Sequence, residues 1–227
     1  MIASLFSCQE KPLRYTALLV SLLVIYIIYP FIPSFIPRDM ILDLFISLVA
    51  MAALYSVCNK TNKFVIGLSL ALPSVVFSIL HYINDLKLFI VLGCITKVLF
   101  LAYIIILSVA YLIETNKIDK ETIFGAISIY LLLALFWAHN FNLIELYIPG
   151  SFQGIESFGE HNLLSSLLYF SLTTLSTLGY GDISPASLPA QILSTLEAIM
   201  GQIFLATLIA RLIGLHIISN KKDGTPA

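Results

Sequence analysis

An all-α membrane protein is the fold class predicted for this chain, and three observations carry it. Of its 227 residues, 59% are hydrophobic and only 11% are charged, with a mean hydropathy of +0.98, far from the averages of soluble domains. Six apolar runs approach the ~20 residues needed to cross a bilayer. Another, at 163–175, is too short to cross and leads into a glycine-rich stretch, so a re-entrant helix followed by extended backbone completes the expected architecture.

The six runs fall at 15–32, 41–58, 64–81, 88–113, 121–141 and 188–218. The first is long for a signal peptide and lacks an Ala-x-Ala-like site, ending instead in Pro30, Pro33 and Pro37, so it is expected to be retained. Asn162 is the expected N-cap of the short helix. The division that follows is a terminal segment at 1–14, a peripheral four-helix unit at 15–113, a second unit at 121–218 and a short tail at 219–227 with no regulatory domain.

Lys and Arg set the expected orientation. Lys11, Arg14, Lys60, Lys63, Lys117, Lys120, Lys221 and Lys222 fall on the side of the termini, against Arg38 and Lys87 on the other. The positive-inside rule makes the first side cytoplasmic, giving a multi-pass protein of the cell membrane with both termini inside. The sequon Asn59-Lys60-Thr61 then faces the cytoplasm and carries no weight. Acids gather on the outer side, at Asp39, Asp85, Glu145, Glu156, Glu160 and Asp182. Most read as a solvated face, while Glu156, Glu160 and Asp182 also suit a modest, salt-screened attraction of cations.

Several function classes drop out. No nucleophile–base pair, phosphate loop or redox motif is present, so no enzyme is expected, and no basic stripe exists to meet a nucleic acid. Cys8, Cys58 and Cys94 lack metal-ligand spacing and read as small buried or juxtamembrane thiols. His81, His139, His161 and His216 lie near helix ends without Cys or carboxylate partners, which favours interfacial polar residues over a metal site.

Between the short helix and the last run stands Thr177-Leu178-Gly179-Tyr180-Gly181-Asp182. Successive carbonyls replace the hydration shell of K⁺ only where the chain runs extended with its C=O groups on one axis, and glycines permit the dihedrals this requires. The stretch resembles the selectivity filter of the potassium-channel family, Thr-Val-Gly-Tyr-Gly-Asp, set between an outer helix, a pore helix and an inner helix. Leu178 departs from the family's usual Val or Ile; its carbonyl is unchanged while the packing behind it differs. The resemblance implies K⁺ held at Thr177, Leu178, Gly179 and Tyr180, continuing past Gly181, with the Thr177 hydroxyl as an innermost ring and no other cofactor. It also implies a homotetramer in membrane lipid, since one chain carries one filter and a carbonyl ring needs four. A weakly selective cation channel and a non-conducting scaffold or regulatory subunit remain as alternatives.

The resemblance extends to neighbouring residues. Tyr169 falls where a pore-helix aromatic hydrogen-bonds Asp182, and Thr173 stands where some bacterial channels place a Glu that strains the filter. Leu196 to Leu212 resembles the inner helix of bacterial channels, with Gly201 in the hinge position; close helix packing is the other use of a glycine there. At helical spacing from Gly201, the face formed by Gln202, Leu205 or Ala206, Ile209 and Ile213 is expected to line a cavity and a constriction that closes by dewetting. Glu197, in the layer behind the filter, is expected to be structural or to couple to filter gating, because a buried carboxylate needs a hydrogen bond or a proton.

The six-run layout is similar to the voltage-gated branch, but 88–113 holds only Lys97 where a sensor needs Arg or Lys at every third position. Each charge crossing the field contributes about 2.3 kcal/mol per 100 mV, so weak voltage dependence is expected. Lys97 is left to snorkel, to pair with Asp43, or to keep a residual sensing role.

Overall fold

The structure, a computed structural model, describes residues 14–31, 45–47, 61–84, 86–115, 119–158 and 163–222. Helices dominate: α1 (Arg14–Ile28), α2 (Thr61–Asn84), α3 (Lys87–Glu114), α4 (Lys120–Tyr147), the short α5 (Leu163–Leu175) and α6 (Leu188–Lys222). Two short strands, β1 (Phe152–Gln153) and β2 (Ser184–Pro185), pair antiparallel across the stretch between α4 and α6. Among the described residues, four helical segments are long and apolar enough to cross a membrane, Lys63–Leu80, Lys87–Glu114, Lys120–Tyr147 and Leu188–Leu215.

Two expectations change in their bounds, and a third lies almost wholly outside the described residues. The first run is an α-helix of 15 residues that gives way to a 3-10 turn at Tyr29–Phe31, because Pro30 has no N–H to continue the ladder. At 1.5 Å per residue its α-helical part measures about 22 Å, and the residues on either side of 14–31 lie outside the described residues. Of the second run, 41–58, only the helical residues 45–47 are described; the rest lies outside the described residues. The run expected to end at 141 continues as α4 to Tyr147. Its start is fixed by Asp119, whose carboxylate accepts from Thr122 N at 2.8 Å and Thr122 Oγ1 at 2.7 Å, an N-cap that supplies orphan amides with a partner.

α2 packs on α3, α3 and α1 pack on α4, and α5 lies between α4 and α6. On α3 the buried positions Gly93, Lys97, Phe100, Leu101, Ile104, Leu107 and Ser108 recur at three- and four-residue steps, forming one stripe toward its neighbours. Phe100 and Ile104 meet Ile129 and Leu132 of α4 and Leu18 and Leu22 of α1 in the main core. A second cluster backs α5. Phe141, Phe152 and Phe170 stand mutually edge-on, each pair of ring centroids 5.3 Å apart, an arrangement worth about 0.5–1.5 kcal/mol per pair beyond the area buried. It ties α4, β1 and α5 together. By contrast, almost none of α6 is buried within its own chain.

Candidate functional site

Everything that positions Thr177 to Gly181 begins at the C-terminus of α5. The amide of Thr177 donates to the Thr174 carbonyl at 2.9 Å, and that of Leu178 to the Thr173 carbonyl at 2.8 Å. These are the paired bonds of a Schellman ending, which puts its turning residue in the left-handed region. Thr177 is that residue, at φ +58°. Glycine is usual there; a β-branched side chain stores strain on the order of 1–3 kcal/mol. Sequence reasoning assigned unusual dihedrals to the glycines and missed Thr177, because the helix-ending bonds that impose them are not visible in the motif.

Gly179 at φ +53° and Gly181 at φ +80° continue the pattern, while Leu178 and Tyr180 keep negative φ. An ordinary strand turns successive carbonyls to opposite sides. Reversing the sign of φ at every second residue cancels that alternation and turns them toward one side. The amide of Gly179 also points back to the Thr173 carbonyl, at 3.2 Å. Among the described residues, no hydrogen bond ends on the carbonyls of Thr177, Leu178, Gly179, Tyr180 or Gly181. All five residues are exposed on the single chain.

Beyond Gly181 the backbone is held firmly. Tyr169 Oη donates to Asp182 Oδ2 at 2.7 Å, and Asp182 Oδ1 accepts from the Ile183 amide at 3.0 Å. The Tyr169 and Tyr180 rings stack at 6.4 Å and 8°. The bond to Asp182, followed by desolvation and the nearby charges of Asp182 and Tyr180, pushes the Tyr169 phenol up to about 12. Gly154, at φ +88°, lies so close to the Asp182 carbonyl oxygen that a Cβ would land on it. Glu145, expected among solvated acids, instead accepts from the amides of Gly150 at 2.6 Å and Phe152 at 3.2 Å and closes the loop that carries β1. Neither residue stood out in the sequence, since both act through backbone remote from them.

On α6, Glu197 is fully buried and accepts a hydrogen bond from Ser171 Oγ of α5. Gly201, one turn later, presses on the end of α5, where a Cβ would overlap the Leu175 carbonyl oxygen. Its missing side chain is therefore used for close approach. Gln202, Leu205, Ala206, Ile209 and Ile213 are all exposed on the single chain. Thr173 is buried, with its hydroxyl on the Phe170 carbonyl at 2.9 Å and its own carbonyl on the Leu178 and Gly179 amides.

Other expected residues fall as follows. Lys97 is 4% exposed and engaged by a neighbour, so it does not snorkel along a lipid-facing surface; Asp43 lies outside the described residues. His139 is buried rather than interfacial, because α4 runs two turns past it. Cys94 is buried and accepts from Asn142 Nδ2 at 3.3 Å. Glu156 is exposed, whereas Glu160, Asn162 and the side chains of His81, His161 and His216 lie outside the described residues.

With this geometry in place, comparison with known proteins finds a family match over the same region. Residues 126–215, from the middle of α4 through α5, the Thr177–Gly181 segment and most of α6, match the family described as "Ion channel". The chain is also 40% identical over 64 residues to two-pore potassium channel 4 of Arabidopsis thaliana, a match covering 28% of this chain and 22% of that relative. The chain therefore spans about a fifth of the length of that relative. No solved structure matches. The matches and the apolar helices together support an ion-channel domain in a multi-pass membrane protein.

Proposed function

We propose that four copies of this chain form a potassium-selective pore in the cell membrane, with both ends of the chain cytoplasmic and K⁺ passing passively. The carrying observation is the alternation of left-handed φ at Thr177, Gly179 and Gly181, with five successive carbonyls that accept no hydrogen bond among the described residues. Non-helical backbone at membrane depth persists only where protein buries it or it lines a water-filled path. Four such segments around an axis meet that requirement, and carbonyls at Thr177, Leu178, Gly179 and Tyr180 then replace the hydration water of K⁺. The exposed flank of α6 supports the same assembly, with Gln202, Leu205, Ala206, Ile209 and Ile213 toward a cavity and constriction. The α5 C-terminus, with its partial negative charge, favours a cation there. Voltage dependence is weak, Lys97 being the one basic residue within the expected fourth run, 88–113.

A weakly selective pore is the second reading, favoured by Leu178 and by the strain at Thr177. Reversal potentials of the purified protein in bilayers with K⁺ and Na⁺ on opposite sides separate the two. Strong K⁺ preference supports the proposal, equal permeability supports the second reading, and absence of current rejects both. Gly179→Ala should abolish current: a Cβ there meets no atom of its own chain within 4 Å, so the obstacle is φ +53° alone. In mild detergent the mass should be that of a tetramer, stabilised by K⁺ through mass action.

A further inference from the structure

Behind the filter segment, three helices meet through three pairs of residues, each pair spaced by one helical turn. α4 contributes Tyr130 and Ala134, α5 contributes Ser171 and Leu175, and α6 contributes Glu197 and Gly201. Residues four apart share a helix face, so each pair presents two contacts in register. In the upper layer the Ser171 hydroxyl lies 2.8 Å from the Ala134 carbonyl and also bonds Glu197 Oε1. In the lower layer Tyr130 Oη donates to the Leu175 carbonyl at 2.9 Å, and Gly201 closes on that same carbonyl. Ala134, Ser171 and Glu197 are 0% exposed.

We propose that Glu197 is a positioning residue for the selectivity filter, acting through Ser171; this rests on the potassium-pore reading above. The route is short: one hydrogen bond, two residues of backbone and the bonds of one carbonyl. Ser171 lies two residues before Thr173, whose carbonyl holds the amides of Leu178 and Gly179. Movement of α6 at Glu197 therefore shifts the α5 turn from which the filter backbone hangs. A carboxylate is costly at such a place, and its second oxygen, Oε2, makes no hydrogen bond among the described residues. An apolar side chain of similar size would fill the same space without that cost, so packing alone gives no reason for Glu197. What it adds is direction: a hydrogen bond fixes the rotation of α5 about its axis more sharply than apolar contact does.

The test measures permeability ratios in bilayers for the full chain and for Glu197→Gln, Glu197→Leu, Ser171→Ala and the double variant Glu197→Leu with Ser171→Ala. Glu197→Gln keeps a donor and an acceptor at the same reach and should stay within about twofold of the unmodified ratio of K⁺ to Na⁺ permeability. Glu197→Leu and Ser171→Ala should each lower the ratio at least about fivefold, the equivalent of one lost hydrogen bond between α6 and α5. The double variant should be no worse than the poorer single one, as for two residues acting through one bond. Tetramer mass is recorded in parallel, a readout on which a merely structural role would act while selectivity of the assembled fraction stayed put. Should Glu197→Leu fail to assemble, Ser171→Ala decides alone. A selective unmodified chain whose Ser171→Ala variant remains equally selective overturns this inference by itself. An unmodified chain that passes Na⁺ as readily as K⁺ overturns the pore reading and this inference with it.

Discussion

Arg211 Nη2 of α6 lies 2.6 Å from the carbonyl oxygen of Thr115, the residue that ends α3, and the same nitrogen donates to the Ile113 carbonyl at 2.8 Å. α3 carries no basic residue in its own last turn, so a cation from another helix meets its exposed carbonyls and the negative end of its dipole. α1 shows the converse. It has no acidic residue in its first turn, and Glu121 of α4 accepts from the amides of Tyr15 at 2.7 Å and Thr16 at 3.4 Å and from the Thr16 hydroxyl. Two helices outside the 126–215 match thus take their capping charges from α4 and α6.

Cutting the first tie should loosen the end of α6. Arg211→Ala is expected to lower stability by about 1–3 kcal/mol, the range for charge-assisted bonds and a capping cation combined. Arg211→Lys keeps the charge but loses the planar guanidinium whose Nη2 serves both carbonyls, so it should fall between. Thermal unfolding in detergent measures the order; an Arg211→Ala midpoint equal to that of the unmodified chain contradicts the tie.

For the second tie, Glu121→Ala strands two amides and a hydroxyl and should cost about 0.5–2 kcal/mol, as N-cap removal does. Thr16→Val removes only the hydroxyl contact and should cost less. Hydrogen exchange of the Tyr15 and Thr16 amides reports directly, and protection unchanged in Glu121→Ala would count against the cap.

At the outer end of the Thr177–Gly181 segment, Tyr169→Phe deletes the donor to Asp182 while keeping the ring stacked on Tyr180. Conduction should become less sustained during prolonged recording, with assembly unaffected. The pH dependence follows from the direction of the shift. A phenol raised from 10.0 to about 12 keeps its proton longer in the folded chain. Its contribution is complete below pH 10, and is lost as pH rises through about 12. Current stability should therefore show no Tyr169-dependent step between pH 7 and 10; a step that disappears in Tyr169→Phe would refute the assignment.

What the sequence made legible was whatever depends on local composition and spacing. Apolar length located α3, the start of α4, α5 and α6, and the two glycines marked the backbone of unusual dihedrals. Features set by long-range geometry stayed hidden. Thr177 takes a left-handed φ because α5 ends in two particular backbone bonds. Glu121 and Arg211 cap helices 105 and 96 residues away in sequence, and no pattern in either helix announces it. His139 was misjudged because the run was expected to end at 141, six residues before the observed end of α4 at Tyr147. Gly154 matters only because the Asp182 carbonyl folds onto it.

Gly201 offers the sharpest contrast between two roles for one residue. A hinge glycine can be replaced by Ala with intact assembly and altered opening, because only backbone freedom is lost. The packing observed here predicts otherwise. An added Cβ overlaps the Leu175 carbonyl oxygen and comes within 3.1 Å of both Leu175 C and Leu175 Cδ1. That carbonyl is also tied in place, since Tyr130 Oη donates to it at 2.9 Å. Gly201→Ala should therefore destabilise the assembled protein by about 1–3 kcal/mol, as overpacking does. Adding Tyr130→Phe removes the bond that pins the carbonyl and should recover part of the loss, although Tyr130→Phe alone is destabilising. Yield of the proposed tetramer and thermal midpoint for the two single variants and the double one make the cycle complete. Strict additivity, or a Gly201→Ala protein that assembles normally and differs only in open probability, would assign Gly201 to the hinge instead.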